Sequence, residues 1–290
     1  MVGGINGIQP TLERGAETEM PTVTRDDLIL YYVERGDPAG PPVVLLHGLT
    51  MSSVTMERLA ASLDDHRVLL LDLHGHGKST KPHEPDRYLV SEFADDVVAL
   101  LDHLEIKEAV IGGLSLGANV SYEVALRHPE RVRALVLQMP VFARGVPIGR
   151  FFFTALAALF TGLYPVLTPL HPVIRRLPVP EGAHELAFVR DLLASDHLAQ
   201  AALMRGIARQ DAPPKDAETL SPLAMPVLVA AHAYDPLHSF DDAMELTLGL
   251  ADARQLDLRS ILDYGLRHGE INRVVGAFLR GLPSATSPET

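Results

Sequence analysis

The sequence predicts an α/β fold with a mostly parallel sheet, because short apolar runs alternate with helical segments along most of the chain. Four runs lack the polar alternation of a half-exposed strand and are typical of strands buried on both faces. They comprise residues 42–46, 66–73, 109–111 and 132–137. Strands joined through helices pair in parallel with right-handed crossovers. Further runs at 225–231 and 254–258 indicate that the sheet resumes after an interruption.

The remaining elements surround this sheet. An entry hairpin is expected over 22–34, because β-forming residues lie on both sides of a polar turn. Apolar spacing and helix-end signals predict helices over 52–63, 91–104, 119–128, 241–251 and 270–279. From Val141 to about Ser221 no strand-like run occurs, so we expect a mostly helical insertion there.

These boundaries divide the chain into four units. We expect a flexible N-terminal arm at 1–20, an α/β core at 21–140 and 223–282, a helical cap at 141–222 and a C-terminal tail at 283–290. The arm carries three glutamates and no apolar core of signal-peptide length, so a cytoplasmic location is expected.

Composition excludes several classes of function. The 290 residues are 47% hydrophobic and 21% charged, which is typical of a globular protein with a large core. A net charge of −12 argues against nucleic acid and against an anionic membrane surface as partners. The chain has no cysteine, its thirteen histidines are scattered, and no H-E-x-x-H spacing occurs. We therefore expect no metal and no other cofactor.

One apolar stretch, Phe151–Leu170, is about as long as a bilayer span. Two prolines and several polar residues interrupt it, and sheet-forming segments lie on both sides. A buried pair of cap helices is therefore the expectation, and a transmembrane span is the alternative that we set aside.

The motif that indicates chemistry is G-x-S-x-G at 113–117. In a nucleophile elbow, a sharp strand-to-helix turn strains the serine backbone and lifts its hydroxyl above the sheet. Gly113 and Gly117 are needed where strand and helix backbones pass too close for a β-carbon. An apolar run precedes the motif and a helix follows it, so Ser115 is the predicted nucleophile, against the alternative of a plain glycine-rich turn.

A serine nucleophile needs a base and an orienting carboxylate, which in a parallel sheet follow the later strands. Asp235 lies in the loop after 225–231, and His268 lies past the last strand, in the order Ser, Asp, His. The alternatives to Asp235 are Asp241 and Asp242, for which helix capping is the better role. The alternatives to His268 are His232 and His238, which lie in the acid's own loop and are therefore expected not to reach the serine from its other side.

Two backbone amides are expected to bind the oxyanion. Leu116 follows the nucleophile directly, and Leu49 lies in the loop after the strand at 42–46. His47 is expected to hold this loop in place.

Several motifs together resemble the α/β-hydrolase superfamily over nearly the whole chain. These are H-G-L at 47–49, D-L-H-G-H-G-K-S at 72–79, G-L-S-L-G at 113–117, Y-D-P at 234–236 and H-G at 268–269. The resemblance implies an eight-stranded, mostly parallel sheet, helices on both faces and a helical cap inserted after the sixth strand. It also implies a cofactor-free esterase, lactonase or C–C-bond hydrolase. A serine in place of aspartate argues against the epoxide hydrolases and haloalkane dehalogenases that share this fold.

Two positions depart from the family pattern. His74 stands where relatives commonly carry arginine, and Arg267 precedes His268 where relatives usually have glycine.

We therefore expect a serine hydrolase of the carboxylic ester or lactone bonds of a small, largely apolar substrate, with Phe151, Leu156 and Phe160 of the cap lining its pocket. The alternative for these side chains is that they pack against the core. C–C-bond or amide hydrolysis on the same triad is the runner-up reaction, and a triad-bearing small-molecule receptor is the alternative from another class. The sequence leaves the substrate and the oligomeric state open.

Overall fold

The computed structural model of the protein describes residues 20–179, 184–233, 235–258 and 268–283. The predicted arm lies outside these residues except for Met20, and the predicted tail lies outside them except for Pro283.

Eight strands form one sheet in the order β1-β2-β4-β3-β5-β6-β7-β8. Strand β2 pairs antiparallel with both β1 and β4, and all the later neighbours pair in parallel. The predicted eight-stranded, mostly parallel sheet is thus confirmed. The strands are β1 Thr22–Arg25, β2 Leu28–Gly36, β3 Pro42–Leu46, β4 Arg67–Leu71, β5 Ala109–Leu114, β6 Val132–Gln138, β7 Val227–His232 and β8 Ala253–Leu258.

Helices cover both faces of the sheet and form the segment between β6 and β7. They are α1 Glu57–Ala60, α2 Val90–His103, α3 Leu116–Arg127, α4 Val146–Leu167, α5 His171–Ile174, α6 His184–Leu193, α7 His197–Arg209, α8 Ala217–Leu220, α9 Phe240–Gly249 and α10 His268–Arg280. Short 3₁₀ turns comprise Ser53–Met56, Pro85–Arg87, Pro129–Arg131 and Thr168–Leu170. The helix predicted over 52–63 is therefore a 3₁₀ turn followed by the single turn of α1.

The central strands are apolar without alternation because both of their faces are covered. In β3, Val44 and Leu46 join one buried cluster, and Val43 and Leu45 join the cluster on the other face. Successive side chains of a strand point to opposite faces, so a strand between two helix layers needs apolar residues at every position. All four of these side chains are fully buried.

The segment between β6 and β7 forms helices α4 to α8, as the prediction of a helical cap requires. Helix α4 packs against α7 through a small cluster in which Ala157 and Phe160 contact Ala201 and Met204. The small alanine side chains let the two helices approach closely. The expectation of a buried pair of cap helices is wrong in one respect, because α4 is one 22-residue helix whose outer face is exposed.

The stretch Val146–Ile174 is the one candidate membrane span in the described part of the chain, judged by length and composition. Its mean hydropathy is 1.7, and only 11% of its most apolar window is buried. The stretch combines high hydropathy with low burial because α4 is apolar on its outer face as well as on the face toward α7.

Candidate active site

Ser115 lies at the turn from β5 into α3 with a strained backbone. Its φ of +53° and ψ of −109° belong to a region that residues with a side chain rarely adopt. The Ser115 N–H donates to the carbonyl of Gln138 at 2.8 Å, which ties the turn to the end of β6. The strain is compensated by the surrounding sheet, and it raises the hydroxyl above the carboxyl edge of the strands.

The two motif glycines are required by close backbone contacts. A β-carbon at Gly117 would lie 2.3 Å from the carbonyl oxygen of Leu46, and one at Gly113 would lie 2.6 Å from the same oxygen. These distances are shorter than any ordinary contact between atoms, so a side chain at either position would force β3, β5 and α3 apart. The strand-to-helix crossing that the sequence predicts is present.

The loop after β7 is held in shape by the carboxylate of Asp235. Asp235 Oδ1 accepts hydrogen bonds from the backbone N–H groups of Leu237, at 2.8 Å, and His238, at 3.1 Å. This is an Asx-type turn, in which a short acidic side chain hydrogen-bonds the backbone two and three residues ahead. The turn brings the side chain of His238 back over Asp235, and the imidazole Nδ1 lies 2.7 Å from Asp235 Oδ2.

The other imidazole nitrogen of His238 faces the nucleophile. Nε2 lies 2.9 Å from Ser115 Oγ. A hydrogen on Nδ1 that is donated to Asp235 leaves Nε2 as the acceptor for the serine hydroxyl, which is the tautomer that a general base needs. Ser115, His238 and Asp235 therefore form a continuous hydrogen-bonded chain, and the His238 and Asp235 side chains are only 11% and 12% exposed.

Position past the last predicted strand indicates His268 as the base; the side chain of His268 lies outside the described residues, and its backbone begins α10. The reason for rejecting His238 is wrong, because a histidine in the acid's loop does reach the serine. The Asx-type turn makes this possible, since it places the residue three positions after the aspartate between the carboxylate and Ser115. An aspartate followed by proline and then by histidine at the third position is the signal that would have indicated it.

Burial sets the titration of His238. It lowers the pKa of the His238 imidazole below its ordinary value, against the opposing effect of the Asp235 carboxylate, while His232 adds to the lowering. Burial raises the pKa of Asp235, but the hydrogen bonds from the side chain and backbone of His238 and from the Leu237 amide outweigh it. The pKa of Asp235 is therefore below its ordinary value. The pair thus consists of a neutral imidazole and a carboxylate at neutral pH.

The other candidate residues near the acid have different partners. His232 Nδ1 lies 2.7 Å from the Ala233 carbonyl, and its Nε2 lies 3.4 Å from Asp235 Oδ2. Asp242 is buried and pairs with Arg144 at 2.6 Å and with Lys215 at 3.0 Å. The predicted capping role of Asp241 and Asp242 is wrong, because Ser239 caps α9 by accepting from the Asp242 N–H.

The two predicted oxyanion amides belong to residues that line the same cavity as Ser115. Leu116 is the first residue of α3, where an amide has no partner within its own helix, and Leu49 lies in the turn after β3. Both residues line the cavity above Ser115. The turn is held by His47, which is fully buried: its Nδ1 lies 2.9 Å from the Gly48 carbonyl, and its Nε2 accepts from the Leu73 N–H at 3.2 Å. Burial lowers the pKa of His47, so this imidazole is neutral and structural.

A largely apolar cavity lies between the serine and the cap. Besides Ser115 and the two leucines, its walls include Val90, Asn119, Val141, Val146, Gly149, Arg150, Phe153, Ile207 and Gln210. Arg150 is the cationic group in this wall; its Nε donates to the carbonyl of Ala208 at 3.1 Å and its Nη2 lies 3.3 Å from Asp211 Oδ1.

The prediction that Phe151, Leu156 and Phe160 line the pocket is wrong, because none of them is part of the cavity wall. Phe151 is 80% exposed and points away from the protein, and Phe160 and Leu156 belong to the contact between α4 and α7. The aromatic side chain of α4 that lines the cavity is Phe153. A helix turns by 100° per residue, so without knowledge of the partner helix the inward positions of an apolar helix cannot be assigned.

Among the described residues, no group of three or more His, Asp or Glu side chains is arranged to hold a metal ion. The chain has no cysteine to supplement such a group.

Residues 41–236 match the family model described as alpha/beta hydrolase fold. Among curated proteins, 3-oxoadipate enol-lactonase 2 of Acinetobacter baylyi is 32% identical over 117 residues, which is 40% of this chain and 43% of that protein. An epoxide hydrolase of Caballeronia sordidicola is 32% identical over 126 residues, which is 42% of this chain and 38% of the relative. The matches thus span less than half the length of these curated relatives.

Solved structures match over a much larger part of the chain. The enol-lactonase from Burkholderia xenovorans LB400 superimposes with a TM-score of 0.70 at 25% identity, over 90% of this chain and 100% of that one. An esterase from Thermogutta terrifontis superimposes with a TM-score of 0.72 at 20% identity, over 91% of this chain and 99% of that one, a likeness that concerns the fold alone.

Proposed function

The chain belongs to the alpha/beta-hydrolase fold family, and from this premise we propose that it is a serine hydrolase of carboxylic esters or lactones. The observation that carries this function is the chain of hydrogen bonds from Ser115 through His238 to Asp235. A serine hydroxyl becomes a nucleophile only with a base in contact and a group that orients the base, and these three side chains meet both requirements.

In the proposed reaction, Ser115 Oγ attacks the substrate carbonyl and passes its proton to His238 Nε2. Asp235 holds the imidazole through Nδ1 and stabilises its charged form. The amides of Leu49 and Leu116 donate to the tetrahedral oxyanion. His238 then returns the proton to the departing alcohol oxygen, and a water activated by the same imidazole opens the acyl-enzyme.

We propose His238 as the base because its nitrogen lies within hydrogen-bond distance of the serine oxygen. His268 stays the alternative that its position past the last predicted strand favours. The two assignments share Ser115 and Asp235 and differ in one imidazole, so single substitutions distinguish them.

A serine nucleophile with a histidine base suits an ester or lactone carbonyl better than an epoxide or an alkyl halide. The family members that match over similar lengths include an epoxide hydrolase and a haloalkane dehalogenase, so similarity alone does not choose among these reactions. At the elbow this chain has a serine with a hydrogen-bonded histidine, an arrangement suited to acyl transfer. The enol-lactonase relatives are consistent with this choice.

The deciding experiment combines turnover with labelling of the nucleophile. The wild-type chain is expected to hydrolyse p-nitrophenyl esters and to form one covalent adduct with a fluorophosphonate, which peptide mass spectrometry should locate on Ser115. Ser115→Ala should lose both properties, with a fall in kcat on the order of 10⁴-fold or more.

The matched control is Ser62→Ala, since the Ser62 hydroxyl donates to the Leu59 carbonyl at 2.7 Å and lies in the loop region before β4. This variant should keep both turnover and labelling. Turnover by Ser115→Ala at the wild-type rate would refute the serine mechanism. A single stoichiometric cleavage without further turnover would support the receptor alternative instead.

A further inference from the structure

The outer face of α4 is an exposed apolar stripe. Apart from the adjacent Phe151 and Phe152, its residues are spaced three or four positions apart; they are Ile148, Phe151, Phe152, Ala155, Leu159, Gly162 and Val166. The exposed fractions of Phe151, Phe152, Leu159 and Val166 are 80%, 55%, 52% and 59%. At 1.5 Å per residue the stripe is about 27 Å long. Contiguous apolar surface of this size on a globular protein indicates a binding surface.

The polar groups beside the stripe are satisfied inside the helix. The Thr154 hydroxyl donates to the Arg150 carbonyl at 2.7 Å, and the Thr161 hydroxyl donates to the Ala157 carbonyl at 2.8 Å. Transfer of these side chains out of water therefore leaves no unpaired hydroxyl donor, which removes the main cost of placing a threonine in an apolar medium.

Charge is distributed unevenly around the stripe. From Gly145 to Pro180 the sequence contains three arginines and no Asp or Glu. Residues 141–222 carry eight Lys or Arg against seven Asp or Glu, whereas the rest of the chain carries seventeen against thirty. Residues 141–222 thus have a net charge of +1 and the rest of the chain has −13, and the negative charge of the rest is screened beyond about 8–10 Å at physiological salt.

We propose that the outer face of α4 binds the surface of an anionic lipid bilayer, with the helix lying in the plane of the interface. Its apolar side chains would insert among the acyl chains, and Arg175 and Arg176, both exposed just beyond the end of the stripe, would lie at the level of the headgroups. An apolar face flanked by cationic residues is the arrangement of interfacial helices. A transmembrane orientation is excluded for this conformation, because the opposite face of α4 packs on α7.

The same observations disfavour a second copy of the chain as the occupant. In a two-fold contact the face would meet itself, so Arg175 and Arg176 of each copy would need an acidic partner on the same face, and residues 145–180 contain no Asp or Glu. Charge complementarity therefore favours phosphate-bearing lipids over self-association.

The stripe and the cavity wall belong to the same turns of α4. Gly149 and Phe153 line the cavity, while Phe151 and Phe152 between them face outward. A bilayer on the outer face would thus lie next to the cavity, so that apolar esters dissolved in the membrane could enter it; this last step rests on the proposed function.

The test is co-sedimentation of the full chain with vesicles of phosphatidylcholine alone and of phosphatidylcholine with phosphatidylglycerol. Binding is expected to be stronger to the mixed vesicles, and the difference should shrink at high salt. The double variant Phe152→Asp and Leu159→Asp should bind the mixed vesicles at least tenfold less than wild type. Ser115→Ala should bind like wild type, which separates binding from hydrolysis.

The matched control is Leu248→Asp, which places the same charge at a 77% exposed leucine of α9, on the core. It should bind within twofold of wild type, and circular dichroism should show that all variants keep their helical content. Absence of binding by the wild type, or equal loss in the α4 and α9 variants, would overturn the proposal. So would a dimer, seen by analytical ultracentrifugation, that the α4 substitutions dissociate while vesicle binding is absent.

Discussion

His238 Nε2 lies 2.9 Å from Ser115 Oγ, although 123 positions separate the two residues and His238 stands only three positions after Asp235. The acid and the base of the proposed triad therefore come from a single loop, after β7. The loop folds on itself because Asp235 uses one oxygen to hold the backbone and the other to hold the imidazole.

The first prediction concerns which histidine is the base. His238→Ala should lower kcat for a p-nitrophenyl ester on the order of 10⁴-fold, because the serine loses its proton acceptor. His268→Ala should keep kcat within about tenfold of wild type, a small loss on the scale of removing a triad member. Steady-state kinetics on both variants measures this. The reverse order, with activity retained by His238→Ala and lost by His268→Ala, would restore the assignment made from the sequence.

The second prediction concerns pH. The neutral imidazole accepts the serine proton, so kcat/KM should rise as pH increases through the pKa of the base. Burial lowers the pKa of His238, so the midpoint should lie below the value of about 6.5 of an exposed histidine. A pH–rate profile of kcat/KM on the free enzyme checks this. A midpoint above that value would indicate a base whose charged form is stabilised by its environment.

The third prediction concerns the carboxylate. Asp235→Asn keeps an oxygen that can accept from the Leu237 and His238 amides, so the loop should keep its shape. The amide cannot stabilise an imidazolium and can favour the wrong tautomer, so kcat should fall on the order of 10⁴-fold. The control is Asp241→Asn, because Asp241 is exposed in the first turn of α9. This variant should leave kcat unchanged. Equal activity in both variants would remove Asp235 from the mechanism.

The sheet could be predicted because every central strand is buried on both faces, which leaves a continuous apolar run such as Pro42–Leu46 in the sequence. The elbow could be predicted because its geometry demands two glycines around Ser115. Both features are local, so a single stretch of sequence carries the complete signal.

The base could not be assigned in the same way. The distance between His238 and Ser115 depends on the Asx-type turn that orients His238. It also depends on the parallel pairing of β5, β6 and β7, which sets how far the loop after β7 lies from Ser115. Position after a strand does not identify the base, because both His238 and His268 follow a predicted strand. The orientation of the cap side chains could not be predicted from the sequence either. Helix α4 is apolar on both faces, and only its contact with α7 determines which residues turn inward.

The fourth prediction tests the close packing of the elbow. Gly117→Ala should lower the free energy of unfolding by about 1–3 kcal/mol, because the new methyl group would overlap the Leu46 carbonyl. Gly162→Ala is the matched control, since nothing lies within 4 Å of a β-carbon built there in the middle of α4. Alanine at that position should stabilise the protein by about 1 kcal/mol or less. Denaturant unfolding measures both, and a neutral Gly117→Ala would show that β3 and α3 are farther apart than described.

The fifth prediction concerns the acyl or alcohol pocket. Val146, Phe153 and Ile207 give the cavity an apolar wall, so each substrate methylene that it buries should contribute about 0.8 kcal/mol. For p-nitrophenyl esters, kcat/KM should therefore rise about fourfold per carbon from acetyl until the cavity is filled. Phe153→Ala should reduce this gain for the longer esters while leaving the acetyl ester little changed, because only the longer chains reach the aromatic ring.

Phe151→Ala provides the control for the same substitution two residues earlier on the helix. Its side chain is 80% exposed on the outer face, so kcat/KM for every water-soluble ester in the series should match wild type. Equal losses of kcat/KM in Phe151→Ala and Phe153→Ala would mean that both side chains face the cavity in the active protein. A flat chain-length series in the wild type would instead remove the apolar wall from substrate recognition and leave Arg150, with its guanidinium on the same wall, as the group to test with an anionic ester.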